Sequence, residues 1–436
     1  MTRTLLFICL FSVPFLARAQ VQAMDREQCV AYALANAPDL RNARLEDSIA
    51  ELNNQILLSA WKPIVALTGA VTNNWKQQVT LFPDFNNPGE TSEVVLGQKW
   101  LSNAGVTVNQ LIYSPEVIRD RNLQRANLEA ARLVIEEQEL QLKARVSTAF
   151  YQTLLFTERI TLARADIERL ERNLRDARLL YENGINDKVD YKRATIALNQ
   201  AKANLATGLL GLDSRMAELK SLMGYPENQP LDLTYDYERY SLDVTSDSLL
   251  DLEIRERPEI RALRIRQQQQ DLNTTYLRRS WQPTVSAQGG YLYNYLASNL
   301  GDLYGQKYPA GVASLNVNVP LFNGGRRFHQ VELATVLRLG LDYELEALRQ
   351  EIQREFAVAD NDYRSGRLNF LIAEENVELA REIYEVIDLQ YREGIKPFLE
   401  VVIAESDLRT SQNRALNALI DALIARVELQ RVTATL

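Results

Sequence analysis

Cysteine and histidine are almost missing from this chain, which has two cysteines and one histidine in 436 residues. Cys9 lies inside an N-terminal apolar stretch, so only Cys29 remains beyond it. That excludes an intrachain disulfide and a cysteine-based metal centre, and a buried thiol on a helix is the expected state of Cys29. No Leu-Ala-Gly-like run precedes Cys29, so a lipid-modified N-terminus is not expected either. His329 has no cysteine, serine or acidic partner at a catalytic spacing, and no His/Asp/Glu set has metal-ligand spacing. Gly324-Gly325-Arg326-Arg327 lacks the Gly-Lys-Ser/Thr ending of a phosphate loop, and a strand-to-helix turn accounts for its glycines. Catalysis, metals and cofactors are therefore not expected. Basic charge is in deficit, 49 Lys and Arg against 57 Asp and Glu, which argues against a nucleic-acid partner.

Long apolar runs are also lacking. After the first residues no stretch of about 18 apolar residues occurs, so no transmembrane helix is expected. The other structure that spans lipid, a closed β-barrel, leaves only a weak alternating signal and stays open. The start itself reads as a secretory signal over residues 1–19: Arg3, an apolar run from Leu5 to Leu16, then Ala17-Arg18-Ala19 before Gln20. Its removal takes Arg3 and Arg18 with it, leaving 47 basic and 57 acidic residues, a net charge of −10. Export is the expectation.

What is present is a duplication. Asn36-Ala37-Pro38-Asp39-Leu40-Arg41 reappears as Glu256-Arg257-Pro258-Glu259-Ile260-Arg261, and Trp61-Lys62-Pro63 as Trp281-Gln282-Pro283, both 220 positions on. Tyr181-Glu182-Asn183-Gly184-Ile185 reappears as Tyr391-Arg392-Glu393-Gly394-Ile395, 210 positions on. Three landmarks in one order describe a unit of roughly 200 residues written twice, too long for a solenoid repeat. The first unit is expected over 20–223, the second over 249–436, with a connecting segment of little helix at 224–248.

Within each unit the same elements follow one another. The first is expected to hold a helix from Met24 to Ser59 with Asp25 as N-cap, and strands at about 63–75 and 100–113. Loop residues separate the strands, and a long hairpin of helices over about 116–223 follows. The second is expected to hold a helix from Asp251 to Ser280, strands at about 283–297 and 312–322, and a helical hairpin over about 326–432. Neither proline nor glycine occurs from Glu116 to Glu182, which permits on the order of 100 Å of unbroken helix. An ordinary helix has about 11 to 12 residues, so these need partners along their length. Ile160, Ala163, Ile167, Leu170, Leu174, Ala177 and Tyr181 step by three and four, as do Ala373, Val377, Ala380, Tyr384, Ile387 and Tyr391. Such narrow heptad seams predict close antiparallel coiled coils.

The strands alternate with period two. Val285, Ala287, Gly289, Tyr291, Tyr293 and Tyr295 share one face, opposite Ser286, Gln288, Gly290 and Asn294. Ala313, Leu315, Val317 and Val319 oppose Ser314, Asn316 and Asn318. A half-buried sheet in a soluble protein reads the same way. Export, aromatics near strand ends (Trp61, Trp75, Trp100, Tyr113, Tyr291, Tyr293, Tyr295, Tyr304, Tyr308) and strands of roughly ten residues favour a membrane. Four strands do not close a barrel, whose small examples need about eight, and an open edge is not tolerated in lipid. A membrane sheet of this kind must close by oligomerisation.

These residues resemble the TolC family of outer-membrane efflux and secretion channels over essentially the whole chain after residue 19. The resemblance rests on the Cys29-to-Leu40 opening, the duplicated Trp-x-Pro, Pro320-Leu321-Phe322-Asn323-Gly324-Gly325-Arg326, and the two Tyr-x-x-Gly-Ile tips. It implies an α+β membrane protein, a homotrimer with a 12-stranded β-barrel continuous with a periplasmic α-helical barrel. It also implies a Gram-negative outer-membrane location extending into the periplasm. The expected partners are outer-membrane lipid, a periplasmic adaptor (membrane fusion protein) and an inner-membrane pump of the RND, ABC or MFS class. On the same resemblance Gly184, Ile185, Gly394 and Ile395 form the periplasmic tips that meet the adaptor. Asp190, Tyr391 and Lys396 become candidates for a gate, and Glu400 for a threefold carboxylate ring. The position three further on is Ile403, which departs from a second acidic ring, although Glu405 stands near. The alternative is a periplasmic coiled-coil adaptor, which needs one central hairpin where this chain has two.

Overall fold

The computed structural model describes residues 22–83, 89, 91–184, 187–234, 236–246 and 256–436. The apolar segment read as a signal, Ile185, and residues 251–255 lie outside the described residues. In chain order the first half runs β1 (Gln22–Met24), α1 (Arg26–Asn36), α2 (Pro38–Ser59), β2 (Ile64–Asn73), β3 (Gln78–Pro83), β4 (Thr91–Leu96), β5 (Trp100–Tyr113), α3 (Pro115–Glu182) and α4 (Lys188–Met223). Then follow β6 (Leu231–Leu233), α5 (Tyr237–Thr245), α6 (Pro258–Arg279), β7 (Thr284–Ala297), β8 (Lys307–Asn318), α7 (Arg326–Arg392) and α8 (Phe398–Val432). Pro38 and Pro258 each open a helix, and Trp61 and Trp281 each stand just before a strand. Gly184 and Gly394 both turn the chain with positive φ, 72° and 75°.

Several elements differ from expectation. The helix expected over 24–59 is two helices, because Ala37 precedes a proline and is pushed to φ −57, ψ 126, outside the α region. Met24 belongs to β1, and Asp25 caps α1 in a capping box, its side chain accepting from the Gln28 N–H at 2.8 Å. Between β2 and β5 the chain is not simply loop: β3 and β4 pair antiparallel. The connecting segment carries α5, capped by Asp236 and seated by the buried Tyr240 and Val244. Its last carbonyls are held by arginines, Arg367 donating to Val244 and Thr245 and Arg426 to Asp243. The helix expected from Asp251 begins at Pro258. The last strand is displaced toward the N-terminus, to 307–318, and includes Pro309. That proline is tolerated because β8 is an edge strand, whereas Pro320 ends the pairing.

The described residues fall into two compact units. One comprises the described residues of 22–45, 134–260 and 347–436. Its core gathers Cys29 and Ala33 of α1, Phe150 and Leu154 of α3, Leu219 and Met223 of α4, Phe370 of α7, and Leu419, Ile420 and Leu423 of α8. Cys29 is fully buried, and burial, aided by the nearby Asp25, pushes its thiol up to about 12. Leu170 of α3 meets Leu198 and Ala201 of α4, while Ala177 meets Ala194 nearer the turn. Contacts that advance on one helix as they retreat on the other define an antiparallel pair. Ala359 and Tyr363 against Leu429 and Val432, then Tyr391 against Phe398, give the same relation for α7 and α8.

The other unit comprises Glu46–Leu133 and Arg261–Glu346. It contains one four-stranded antiparallel sheet in the order β2-β5-β7-β8, plus the β3–β4 hairpin. Central in that sheet, a strand from the first half pairs with one from the second. A small helical cluster of Ala126, Leu133 and Ile265 lies in the same unit.

Candidate functional site

The register sorts the sheet into two faces. Val65, Leu67 and Val71 of β2 stand opposite Val108, Val106 and Ser102 of β5, which stand opposite Gly289, Tyr291 and Tyr295 of β7. The same face continues onto β8 through Leu315 and Val317, paired with Ala287 and Val285. Cross-strand partners share a face and neighbours along a strand do not. One face is therefore apolar across all four strands. The other presents Thr68, Asn103, Thr107, Gln288, Asn294, Ser314 and Asn316.

Among the described residues nothing covers the apolar face. Leu67 is 82 % exposed and Leu315 64 %, with Val65, Val71, Tyr291 and Val317 all more than half exposed. Of the four strands only Lys307, the first residue of β8, is charged. Aromatics collect toward both ends: Trp100, Tyr295 and Tyr304 at one, Trp61, Tyr113 and Trp281 at the other. Strands of 10 to 14 residues with such belts have the length and pattern of a bilayer-spanning sheet. Among the described residues the outer edges of β2 and β8 have no strand partner. An uncovered apolar sheet with two open edges is not a closed structure of the kind that lipid tolerates.

The helical tips form the second part of the site. At each, the glycine N–H donates to the carbonyl three residues earlier, Gly184 to Tyr181 at 3.0 Å and Gly394 to Tyr391 at 2.9 Å. Left-handed φ at these two positions is what glycine supplies. Ile395 projects into solvent, 70 % exposed. The Tyr391 ring lies 5.5 Å from that of Phe398, which is buried with Ala177 and Ala194. Tyr181 and Tyr191 stack at 6.3 Å across the other hairpin. Asp190 and Lys396 are half-buried, and no ion pair joins them within the chain among the described residues. Glu400 is half-buried in the first turn of α8.

Glu405 is placed quite differently from a lumenal ring. It is 4 % exposed, held by Asn173 at 3.1 Å and by Arg169, whose Nε lies 3.6 Å from its carboxylate. Arg169 also donates to Asp166, itself 5 % exposed. Burial pushes both carboxyls above the usual carboxylate range, against the opposing pull of Arg169. Heptad reading missed this cluster because Asp166 neighbours a seam residue, Ile167, and passed as part of the charged face. The available signal was the i,i+3 pair Asp166 and Arg169 flanking the seam.

The profile of the outer membrane efflux protein family matches residues 30–225 and 249–435. The chain is 22 % identical over 412 residues to outer membrane protein TolC of Vibrio cholerae, covering 91 % of this chain and 93 % of that one. It is 24 % identical over 297 residues to the alkaline protease secretion protein AprF of Pseudomonas aeruginosa, covering 67 % of this chain and 61 % of AprF. Among solved structures, CusC superposes with a TM-score of 0.70 at 15 % identity, covering 94 % of this chain and 91 % of CusC.

Proposed function

The chain belongs to the outer membrane efflux protein family, and from that premise we propose that three copies close one 12-stranded barrel, each contributing β2, β5, β7 and β8. The family is one of outer-membrane channels, not of enzymes, and this protein is an exit duct of an efflux or secretion system. The observation that carries the trimer is the sheet with one apolar face, one polar face and two open edges. Closure turns the apolar face to lipid and the polar face to the lumen, and it pairs β8 of one copy with β2 of the next. The long helices form the periplasmic passage and meet an adaptor at the tips containing Gly184 and Gly394. An inner-membrane pump supplies the energy for transport.

In the same reading the tips are the gate. Among the described residues Lys396 and Asp190 form no ion pair within the chain, and in this reading they pair between neighbouring copies, while Tyr391 anchors the turn on Phe398. Glu400, repeated three times, forms a carboxylate ring near the closed end. The test of the trimer is the mass of the detergent-purified protein by light scattering, with the detergent contribution subtracted. Three copies are expected; a monomer would leave the sheet edges open and remove the reading.

A further inference from the structure

Above the tips, α3 and α8 meet around two carboxylates and one guanidinium. Asp166 and Glu405 are both withdrawn from water, and Arg169 serves both. Asn173 donates to Glu405 Oε2, while Glu405 Oε1 is buried and accepts no hydrogen bond among the described residues. Two nearly buried negative groups on one positive group are one charge out of balance. Arg409, on α8 itself, attracts both carboxylates but is half-exposed and makes an ion pair with neither among the described residues. From α7, Tyr384 faces Glu405, its phenol raised by burial first and then by Glu405 and Asp388; Asp388 is engaged by Arg392 at 2.6 Å. Leu198 and Ala201 of α4 pack on Leu170 beside the cluster.

We propose that Asp166, Arg169 and Glu405 are a proton-operated clasp between α3 and α8, tight when one carboxyl is protonated and loosened when both are ionised. A proton on either acid leaves Arg169 in a balanced pair with the other. It also removes a buried charge that has too few donors. The raised carboxyls fix the sign: the packed helices hold a proton that separated helices release. Contact between α3 and α8 therefore strengthens as pH falls through the folded-state pKa and weakens as pH rises above it. The gating consequence rests on the duct reading above; the clasp itself does not.

Hydrogen–deuterium exchange of α8 amides 401–410 tests the clasp on the full chain in detergent, with rates corrected for intrinsic pH dependence. α4 amides 212–222, away from the cluster, serve as reference. In the native protein, protection in α8 relative to α4 is expected to fall at least about threefold as pH rises from the ordinary carboxylate range, about 4, to about 8. Glu405→Gln, which keeps shape and removes the charge, is expected to hold it high and flat, and Asp166→Asn gives the same readout should the first variant fail to fold. A flat native profile, or the native slope retained in a folded variant, overturns the proposal. Openings in planar bilayers are expected to be several-fold rarer at the acid end of that range than at its upper end. If the exchange behaves as expected and no conductance is found, the duct reading fails and the clasp stands.

Discussion

A Cβ built on Gly105 of β5 would lie 2.3 Å from the carbonyl oxygen of Tyr291 on β7. The strand of the first half and the strand of the second thus approach as only glycine permits. Gly105→Val is expected to break that pairing and abolish heat-resistant oligomers in extracted membranes. Gly289→Ala on β7, where a Cβ meets nothing within 4 Å, is expected to leave them intact. Equal yields of oligomer from both would contradict the register.

Neighbouring residues on β2 should respond oppositely to charge. Leu67 is on the apolar face and Thr68 on the polar one. Leu67→Arg is expected to cost about 2–4 kcal/mol in urea unfolding from lipid, and Thr68→Arg far less. The same loss from both would sink the division of the sheet into lipid and lumen faces.

Glu400, set in the first turn of α8, is expected to give the passage a preference for cations, because a like-charged ring in a narrow mouth concentrates them. Reversal potentials under a salt gradient read this directly. Glu400→Gln should bring cation and anion permeability close together, and no change would remove the ring.

At the tips, Lys396→Ala combined with Tyr391→Phe keeps the ring contact with Phe398 and deletes the polar groups. Single-channel conductance is expected to rise. An unchanged conductance would mean that the apolar cluster of Ala177, Ala194 and Phe398 holds the tip without them.

How much was legible depended on the range of the forces involved. The long helices could be read because their seams repeat locally, and Ala177 and Leu170, placed on a seam by spacing, are indeed buried. The two tip glycines were visible because a positive φ at a helix end nearly names its residue. Pairing across the sequence was not visible: nothing local to Lys307–Gly311 says that β7 continues to Tyr295 and offers it a partner. The parallel pairing of β1 with β6 joins segments some 200 residues apart and leaves no periodic trace. Glu405 shows a further limit. Nothing along its own helix names a partner for it, and only the three-dimensional placement of Arg169 and Asn173 makes a buried carboxylate tolerable there.

The central claim is that copies of this chain close a conducting barrel, and single-channel recording of the detergent-purified protein in planar bilayers tests it most directly. Discrete, mostly closed, cation-preferring openings from a three-copy species are the predicted result. A protein that stays soluble without detergent and never conducts would contradict the account, because the uncovered face from Leu67 to Leu315 would then have no lipid to meet.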